Sequence, residues 1–480
     1  MNKRMINYIL GKMLGVEALL LLLPAIVGGI YGEAGSKYFL ITAGMLGLIF
    51  ILIGRKRPEN TTIYAKEGLV VVSLAWILWS LFGAVPFYLS GSIPGFIDAF
   101  FETVSGFTTT GSTILTDIES LPKCMLFWRS FTHWVGGMGV LVFVMMLTTL
   151  DRKNSMHLMR AEVPGPEKDK LLPKMKSTAQ ILYAMYFVLT VVLVGLLMLG
   201  GMDLYDSLIH AFGTAGTGGF SNYALSVGHF NSAYIEWIIT IFMILFGINF
   251  NLYFFALIRQ WDMILKNEEL KVYLGIIAAA TVLISLNIYG RFDTMEETIR
   301  TAAFQVASII TTTGYATTDF NLWPLFSKCI LLTLMLIGAS ASSTGGGIKV
   351  SRVMIIVKSI YKEIKHMMHP KSINIVRING KKLRNETIHS VYIYLLAYVV
   401  LIIGSVLVVS LDNFDFATTF SAVITTINNI GPGIEMVGPM GGFSAFSPLS
   451  KLVFCLDMLA GRLEIFPFLM LLSLVWRKKF

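Results

Sequence analysis

The sequence predicts an all-α integral membrane protein. It comprises four pseudo-symmetric helix–re-entrant pore helix–helix repeats around a central ion pore, plus an N-terminal helical hairpin. Three observations predict this. Of 480 residues, 55% are hydrophobic and 14% charged, with mean hydropathy +0.71, whereas soluble domains carry about 25% charged residues. Ten apolar runs approach the roughly 20 residues that cross a bilayer. Four shorter, half-polar segments recur at equivalent places between them.

The first two apolar runs, Met13–Ile30 and Tyr38–Ile53, flank a tight linker and form the hairpin, residues 1–57. Lys3, Arg4 and Lys12 precede it and Arg55, Lys56 and Arg57 follow it, so both ends face the cytoplasm. The apolar runs Gly68–Leu89 and Phe127–Leu150 bracket the half-polar segment Phe96–Thr110, giving pore repeat one at 66–150. Ile181–Leu199 and Ile235–Ile258 bracket Tyr205–Gly218 in repeat two, 176–260. Val272–Tyr289 and Ile330–Val357 bracket Met295–Thr313 in repeat three, 270–357, whose second helix is broken. Val391–Leu411 and Lys451–Trp476 bracket Phe414–Ile430 in repeat four, 388–476. The half-polar segments are too short to span and read as re-entrant helices. Irregular backbone at that depth requires protein or a water-filled cavity around it. No small-residue cleavage site closes the first apolar run, so no removable signal peptide is expected.

Charge fixes the orientation. The four loops holding the re-entrant segments carry thirteen acidic and three basic residues. The connector 349–386 carries ten basic against two acidic, and 151–176 seven against four. Basic loops face the cytoplasm, so the short helices enter from outside and both termini lie inside. The net charge of +9 is thus a topology signal. It is split among short connectors rather than gathered on one domain, which argues against nucleic-acid binding. Cys124, Cys329 and Cys455 make no disulfide framework. No catalytic constellation and no nucleotide-binding motif is visible, so neither an enzyme nor a bound nucleotide is expected.

The re-entrant segments align on Gly111, Gly219, Gly314 and Gly431, preceded by Thr109-Thr110, Thr217-Gly218, Thr312-Thr313 and Asn429-Ile430. Six residues before each glycine stand Ser105, Gly213, Ser308 and Thr425, all small. Asp98 and Asp206, thirteen before, match helix N-caps. Four equivalent units imply closure around a shared axis. Four carbonyl-rich segments ending at glycine can supply stacked oxygen rings to a dehydrated monovalent cation. Glycine permits the φ values that turn successive carbonyls to one side, and the helix C-termini favour cations.

With these motifs the chain resembles the Trk/Ktr/HKT superfamily of potassium transporters, in its TrkH-like branch, over its whole length. The resemblance rests on Thr108-Thr109-Thr110-Gly111-Ser112, Gly218-Gly219-Phe220-Ser221, Thr311-Thr312-Thr313-Gly314-Tyr315 and Asn428-Asn429-Ile430-Gly431-Pro432-Gly433. Ser343-Thr344-Gly345-Gly346-Gly347-Ile348-Lys349 and Gly461-Arg462-Leu463-Glu464-Ile465-Phe466 extend it. Ser221-Asn222-Tyr223 departs from a Thr-His-Asp stretch common in the family, and the second filter lacks paired threonines.

The resemblance implies a potassium filter with K⁺ as transported and filter-bound ion. It also implies a homodimer in a bacterial inner membrane and a cytosolic TrkA-like ring that binds nucleotide. The basic connector 358–386 suits docking of that ring or of anionic lipid. The run containing Gly338, Ser340, Ser342, Ser343, Thr344, Gly345, Gly346, Gly347 and Lys349 cannot continue a helix, since glycine is about 1 kcal/mol worse than alanine there. It resembles the intramembrane loop that obstructs the pore below the filter in the family; close helix packing is the alternative. Arg462, within an apolar span, faces a cavity or the bundle interior. The resemblance implies a positive barrier and latch; a pair with Glu464 or a loop carbonyl is the alternative. Asn249 and Asn251 suit interhelical hydrogen bonds. A coupled secondary transporter driven by H⁺ or Na⁺ is the rival reading.

Overall fold

The computed structural model describes residues 2–139, 175–372 and 374–476. The latter part of Phe127–Leu150 and almost all of connector 151–176 lie outside them. In the hairpin, Lys3–Leu20 and Leu22–Ile30 form one arm and Ser36–Ile49, prolonged by the π-turn Phe50–Gly54, the other. The arms touch where Gly11 and Gly54 meet; a Cβ on either would lie 2.7 Å from the other's backbone. The Glu33 carboxylate in the turn accepts the backbone N–H groups of Lys123 (2.7 Å) and Cys124 (2.9 Å). This fixes the hairpin to the N-terminus of helix Lys123–Gly137, whose first-turn donors have no partner inside the helix.

Among the described residues, six helices are long and apolar enough to cross a membrane: the two hairpin arms and the first helix of every repeat. The second helix is interrupted in repeats two, three and four, and in repeat one the described helix ends at Gly137. The sequence pointed to an interruption only in repeat three. In repeat two, Ala233–Phe246 and Phe250–Leu257 meet at 90°. Asn249 caps the new helix by accepting the Asn251 N–H at 2.9 Å, rather than bridging helices. In repeat four, Pro448–Arg462 and Phe466–Trp476 are separated by Leu463, Glu464 and Ile465, the last two at positive φ. Pro467 lacks the N–H that a continuous helix would need.

The four short helices are Phe96–Phe107, Leu204–Gly216, Met295–Ile310 and Phe416–Asn428. At 1.5 Å per residue they are about 18–24 Å long, too short to span. Their N-caps differ from the aspartates expected. Asp203, Thr294 and Asp415 accept first-turn N–H groups at 2.6, 3.1 and 2.9 Å, and Gly95 precedes the first helix. Asp98 and Asp206 fall inside the first turn instead, where the helix dipole favours negative charge. Asp98 pairs with Lys451 at 2.6 Å. The basic connector carries an antiparallel ribbon pairing Arg377 with Lys382 and Ile378 with Lys381. Its Asn379-Gly380 turn has both φ values positive, as two-residue hairpin turns require.

Candidate functional site: a closed ring at the short-helix termini

Each short helix ends in the same backbone device. The residue two before the aligned glycine is left-handed: Thr109 (φ +57°), Thr217 (+56°), Thr312 (+60°) and Asn429 (+56°). The next N–H reaches back five residues: Thr110 to Ser105 O, Gly218 to Gly213 O, Thr313 to Ser308 O and Ile430 to Thr425 O, at 2.8–3.0 Å. This is the Schellman closure of a helix C-terminus. The small residues noted in the sequence are its acceptors. Gly111, Gly219, Gly314 and Gly431 then take φ +82°, +79°, +83° and +82°, a region in which side chains are strained.

The four segments close on one another. The carbonyl before one glycine lies against the glycine of the neighbouring repeat. A Cβ on Gly111 would sit 2.0 Å from Gly218 O, on Gly219 2.0 Å from Thr313 O, on Gly314 2.9 Å from Ile430 O, and on Gly431 3.0 Å from Thr110 O. Repeats one to four therefore contact in cyclic order. Thr109, Thr110, Thr217, Thr312, Thr313, Asn429 and Ile430 are all fully buried. Hydroxyl pairs brace repeats one and three identically: Thr108 with Thr110 and Thr311 with Thr313, each at 2.8 Å. Asn429 Nδ2 donates to Thr110 Oγ1 of the neighbouring segment at 3.0 Å.

A cavity of about 70 Å³ lies on one side of the ring, lined by all four glycines with Ser112, Ser221, Arg129 and Pro432 among others. On the outer surface, the hydroxyl and N–H of Thr418 hold the Asp415 carboxyl below its ordinary value, so it stays anionic. Among the described residues no cluster of His, Cys, Asp or Glu could hold a metal ion. Oxygens of backbone and hydroxyl line the ring instead, a donor set suited to hard monovalent cations.

On the side of the ring opposite this cavity lies the glycine-rich interruption, between helices Leu325–Ile337 and Val350–Met368. Gly338 and Gly347 pack backbone to backbone; a Cβ on Gly347 would be 2.6 Å from Gly338 Cα. The loop grips the ring from below. Gly346 N–H donates to Thr312 Oγ1 at 2.6 Å, Gly347 N–H to Asn428 O at 3.1 Å, and a Cβ on Gly345 would be 2.8 Å from Thr311 O. Its front half is held by the end of repeat two and the start of repeat three. Ser340 N–H donates to Gly247 O (3.2 Å), Ala341 N–H to the Glu269 carboxylate (2.7 Å), and Phe250 N–H to Ser342 O (3.0 Å). Ser343 Oγ donates to Ser340 O at 2.7 Å and Thr344 Oγ1 to Phe246 O at 3.2 Å. Buried Lys349 donates to Gly345 O.

Arg462 joins this loop to repeat one. Its guanidinium donates to Thr344 O at 2.8 Å and to Gly136 O and Gly137 O at 2.6 and 2.7 Å. Glu464 pairs with Arg352 at 2.5 Å. The sequence did not single out four buried residues packed behind the ring: Glu102, Arg129, His133 and His210. His133 packs on Gly218, where a Cβ would be 2.3 Å from its ring. A signal was present: nine residues before the aligned glycines stand Glu102, His210, Gln305 and Ala422, three of them polar.

A fourfold ring of helix C-termini inside a multi-pass bundle, closed beneath by a loop of small residues, defines a membrane cation-transport protein rather than an enzyme. The chain matches the TrkH family, described as cation transport proteins, over residues 45–478, and it belongs to that family. It is 35% identical to the Trk system potassium uptake protein TrkH of Salmonella typhimurium across the full length of both chains. It is 31% identical to the Trk system potassium uptake protein TrkG of Escherichia coli over 99% of each. The crystal structure of the potassium transporter TrkH from Vibrio parahaemolyticus superposes with a TM-score of 0.89 at 30% identity, covering 98% of this chain and 99% of that one.

Proposed function

We propose that this protein carries potassium ions across the bacterial inner membrane through a filter formed by Thr109–Gly111, Thr217–Gly219, Thr312–Gly314 and Asn429–Gly431. The cyclic contact of the four glycines is the observation that carries the reading. The paired left-handed residues of each segment turn consecutive carbonyls to one side, and four such segments surround an ion with oxygens. K⁺ is the transported ion, in keeping with the names of the relatives, and in this reading it is also the ion held in the filter.

The loop 338–349 is the gate, and Arg462 its latch. The support is geometric: the loop bonds to two ring segments, at Thr312 and Asn428. Arg462 adds a positive charge beside the loop and holds one of its carbonyls. The net-positive connector 358–386 receives the cytosolic nucleotide-binding ring, and the protein works as a homodimer with both termini cytoplasmic. Uptake of K⁺ and Na⁺ into liposomes under defined ion and pH gradients tests the proposal. Passive K⁺ flux that exceeds Na⁺ flux and follows the K⁺ gradient alone supports it. Flux that requires a proton or sodium gradient establishes the coupled mechanism instead.

A further inference from the structure

Behind the ring, one ion pair within repeat one ties that repeat to repeat two. Glu102 is 1% exposed and Arg129 3%. The Glu102 carboxylate accepts Arg129 Nε at 2.6 Å, Thr113 Oγ1 at 2.9 Å and the Ile114 N–H at 3.0 Å. Thr113 and Ile114 follow Gly111 by two and three residues, so the carboxylate clamps the outer leg of filter segment one. Arg129 reaches the other way. Its Nη1 donates to Ser221 O at 2.9 Å, two residues past Gly219, and its guanidinium carbon lies 3.5 Å from the centre of the Phe220 ring. His210 Nε2 meets Ser221 Oγ at 3.0 Å on the same leg.

The other repeats lack this device. The position of Glu102 is Gln305 in repeat three, whose amide atoms have no hydrogen-bond partner among the described residues, and Ala422 in repeat four. Their outer legs are held by neutral groups: Ser308 Oγ donates to Tyr315 O at 2.6 Å, and Ser421 Oγ bonds Ile434 O and N–H at 3.2 and 3.1 Å. The reason for the asymmetry lies in segment two. Repeats one and three stiffen their segments with hydroxyl pairs, but segment two has Gly216 and Gly218 at those places and cannot. Yet Gly218 O is among the carbonyls pressed closest to its neighbour. The segment least able to hold itself is held from behind by a charge-assisted bond, stronger and more directional than a neutral one.

We propose that the Glu102–Arg129 pair is a selectivity-determining strut that fixes the spacing between filter segments one and two. Glu102 stands behind the ring and Arg129 reaches the wall of the cavity beside the four glycines; both act through the filter segments as positioning residues. The inference rests on the filter reading above. Its consequence is that loss of the strut admits Na⁺ more than it impairs K⁺.

The test compares K⁺ and Na⁺ entry into liposomes, per folded protein, for Glu102→Gln/Arg129→Gln and for Thr113→Val. The double variant leaves no unpaired buried charge, which is the usual reason for misfolding when one partner of a buried pair is removed. It is expected to raise Na⁺ entry relative to K⁺ at least tenfold while K⁺ entry falls less than threefold. Thr113→Val keeps both charges and removes one tie. It is expected to raise the ratio about threefold, and it decides the matter if the double variant does not fold. A wild-type ion ratio in the folded double variant, or in Thr113→Val where the double variant is lost, overturns the proposal. Gly219→Ala separates this from failure of the filter reading. If it shifts the ratio and the strut variants do not, the strut is wrong and the filter stands. If none shifts it, the filter reading itself fails.

Discussion

Alanine at each of the four aligned glycines imposes the same backbone strain but unequal crowding. All four have φ within a few degrees of +80°. Holding a side chain in a left-handed conformation costs about 1–2 kcal/mol, so every variant shares that term. Space differs. A Cβ at Gly314 or Gly431 meets a neighbouring carbonyl oxygen at 2.9 or 3.0 Å, which a shift of a few tenths of an ångström relieves. At Gly111 or Gly219 the oxygen is 2.0 Å away, and it must retreat by about 1 Å to reach a tolerable contact. Misplacement on that scale costs on the order of 100-fold in processes that depend on exact geometry. Gly314→Ala and Gly431→Ala are therefore expected to retain measurable K⁺ uptake with about five- to thirty-fold loss, the shared strain expressed as a rate. Gly111→Ala and Gly219→Ala should lose roughly a further tenfold or more, with collapsed K⁺/Na⁺ discrimination. The measurement is initial uptake of each ion into liposomes, normalised to monodisperse protein. Equal uptake and equal discrimination across all four variants would show that the carbonyl contacts do not shape the permeation path.

The proposed gate gives three more expectations. Deleting part of Ala339–Thr344 should raise basal K⁺ flux in the absence of any cytosolic partner; a fall, with folding intact, makes the loop a scaffold. Arg462→Ala removes a charge whose repulsion at ~8 Å and an effective dielectric of ~20–80 is roughly 0.5–2 kcal/mol, or about two- to thirty-fold in flux. Arg462→Lys should keep most of the restraint, and equal impairment of both variants argues for a purely geometric role. Glu269→Ala releases the Ala341 N–H, a charge-assisted bond of about 1.5–3 kcal/mol; single-channel recording should show a rise in open probability, and an unchanged value would mean this bond survives opening.

The fourfold architecture was legible because its marks are local. Each repeat places a small acceptor six residues before a glycine, and the Schellman closure of Ser105, Gly213, Ser308 and Thr425 uses that spacing directly. The interruption of repeat three was legible for the same reason, ten small residues in a row. Those of repeats two and four were not, because their flanks are apolar enough to read as continuous spans. Asn249 and Pro467 were the available signals: one looked like interhelical glue, and the other was hidden in a hydrophobic run. The N-caps were misplaced by one turn because aspartate suits both the cap and the first turn. Glu102 and Arg129 stand 27 residues apart with nothing in the spacing to pair them. Only the packing of helix Lys123–Gly137 against Phe96–Phe107 brings them together.

The glycine-rich loop comes from a single repeat, yet it touches ring segments three and four and, through Gly247 and Arg462, the other two repeats. A pore assembled from four identical subunits would deliver four such loops to one axis, where the backbone contacts of Gly345 and Gly346 leave room for one. Covalent linkage of the quarters removes that conflict of stoichiometry. If the loop is the gate proposed above, one repeat supplies the stopper and its siblings the seat, and a substitution in the stopper alters the pore once rather than four times over. A chain of this kind can therefore vary its closure independently of the ring that surrounds the ion, a freedom closed to a symmetric oligomer, whose every change is repeated at each equivalent position.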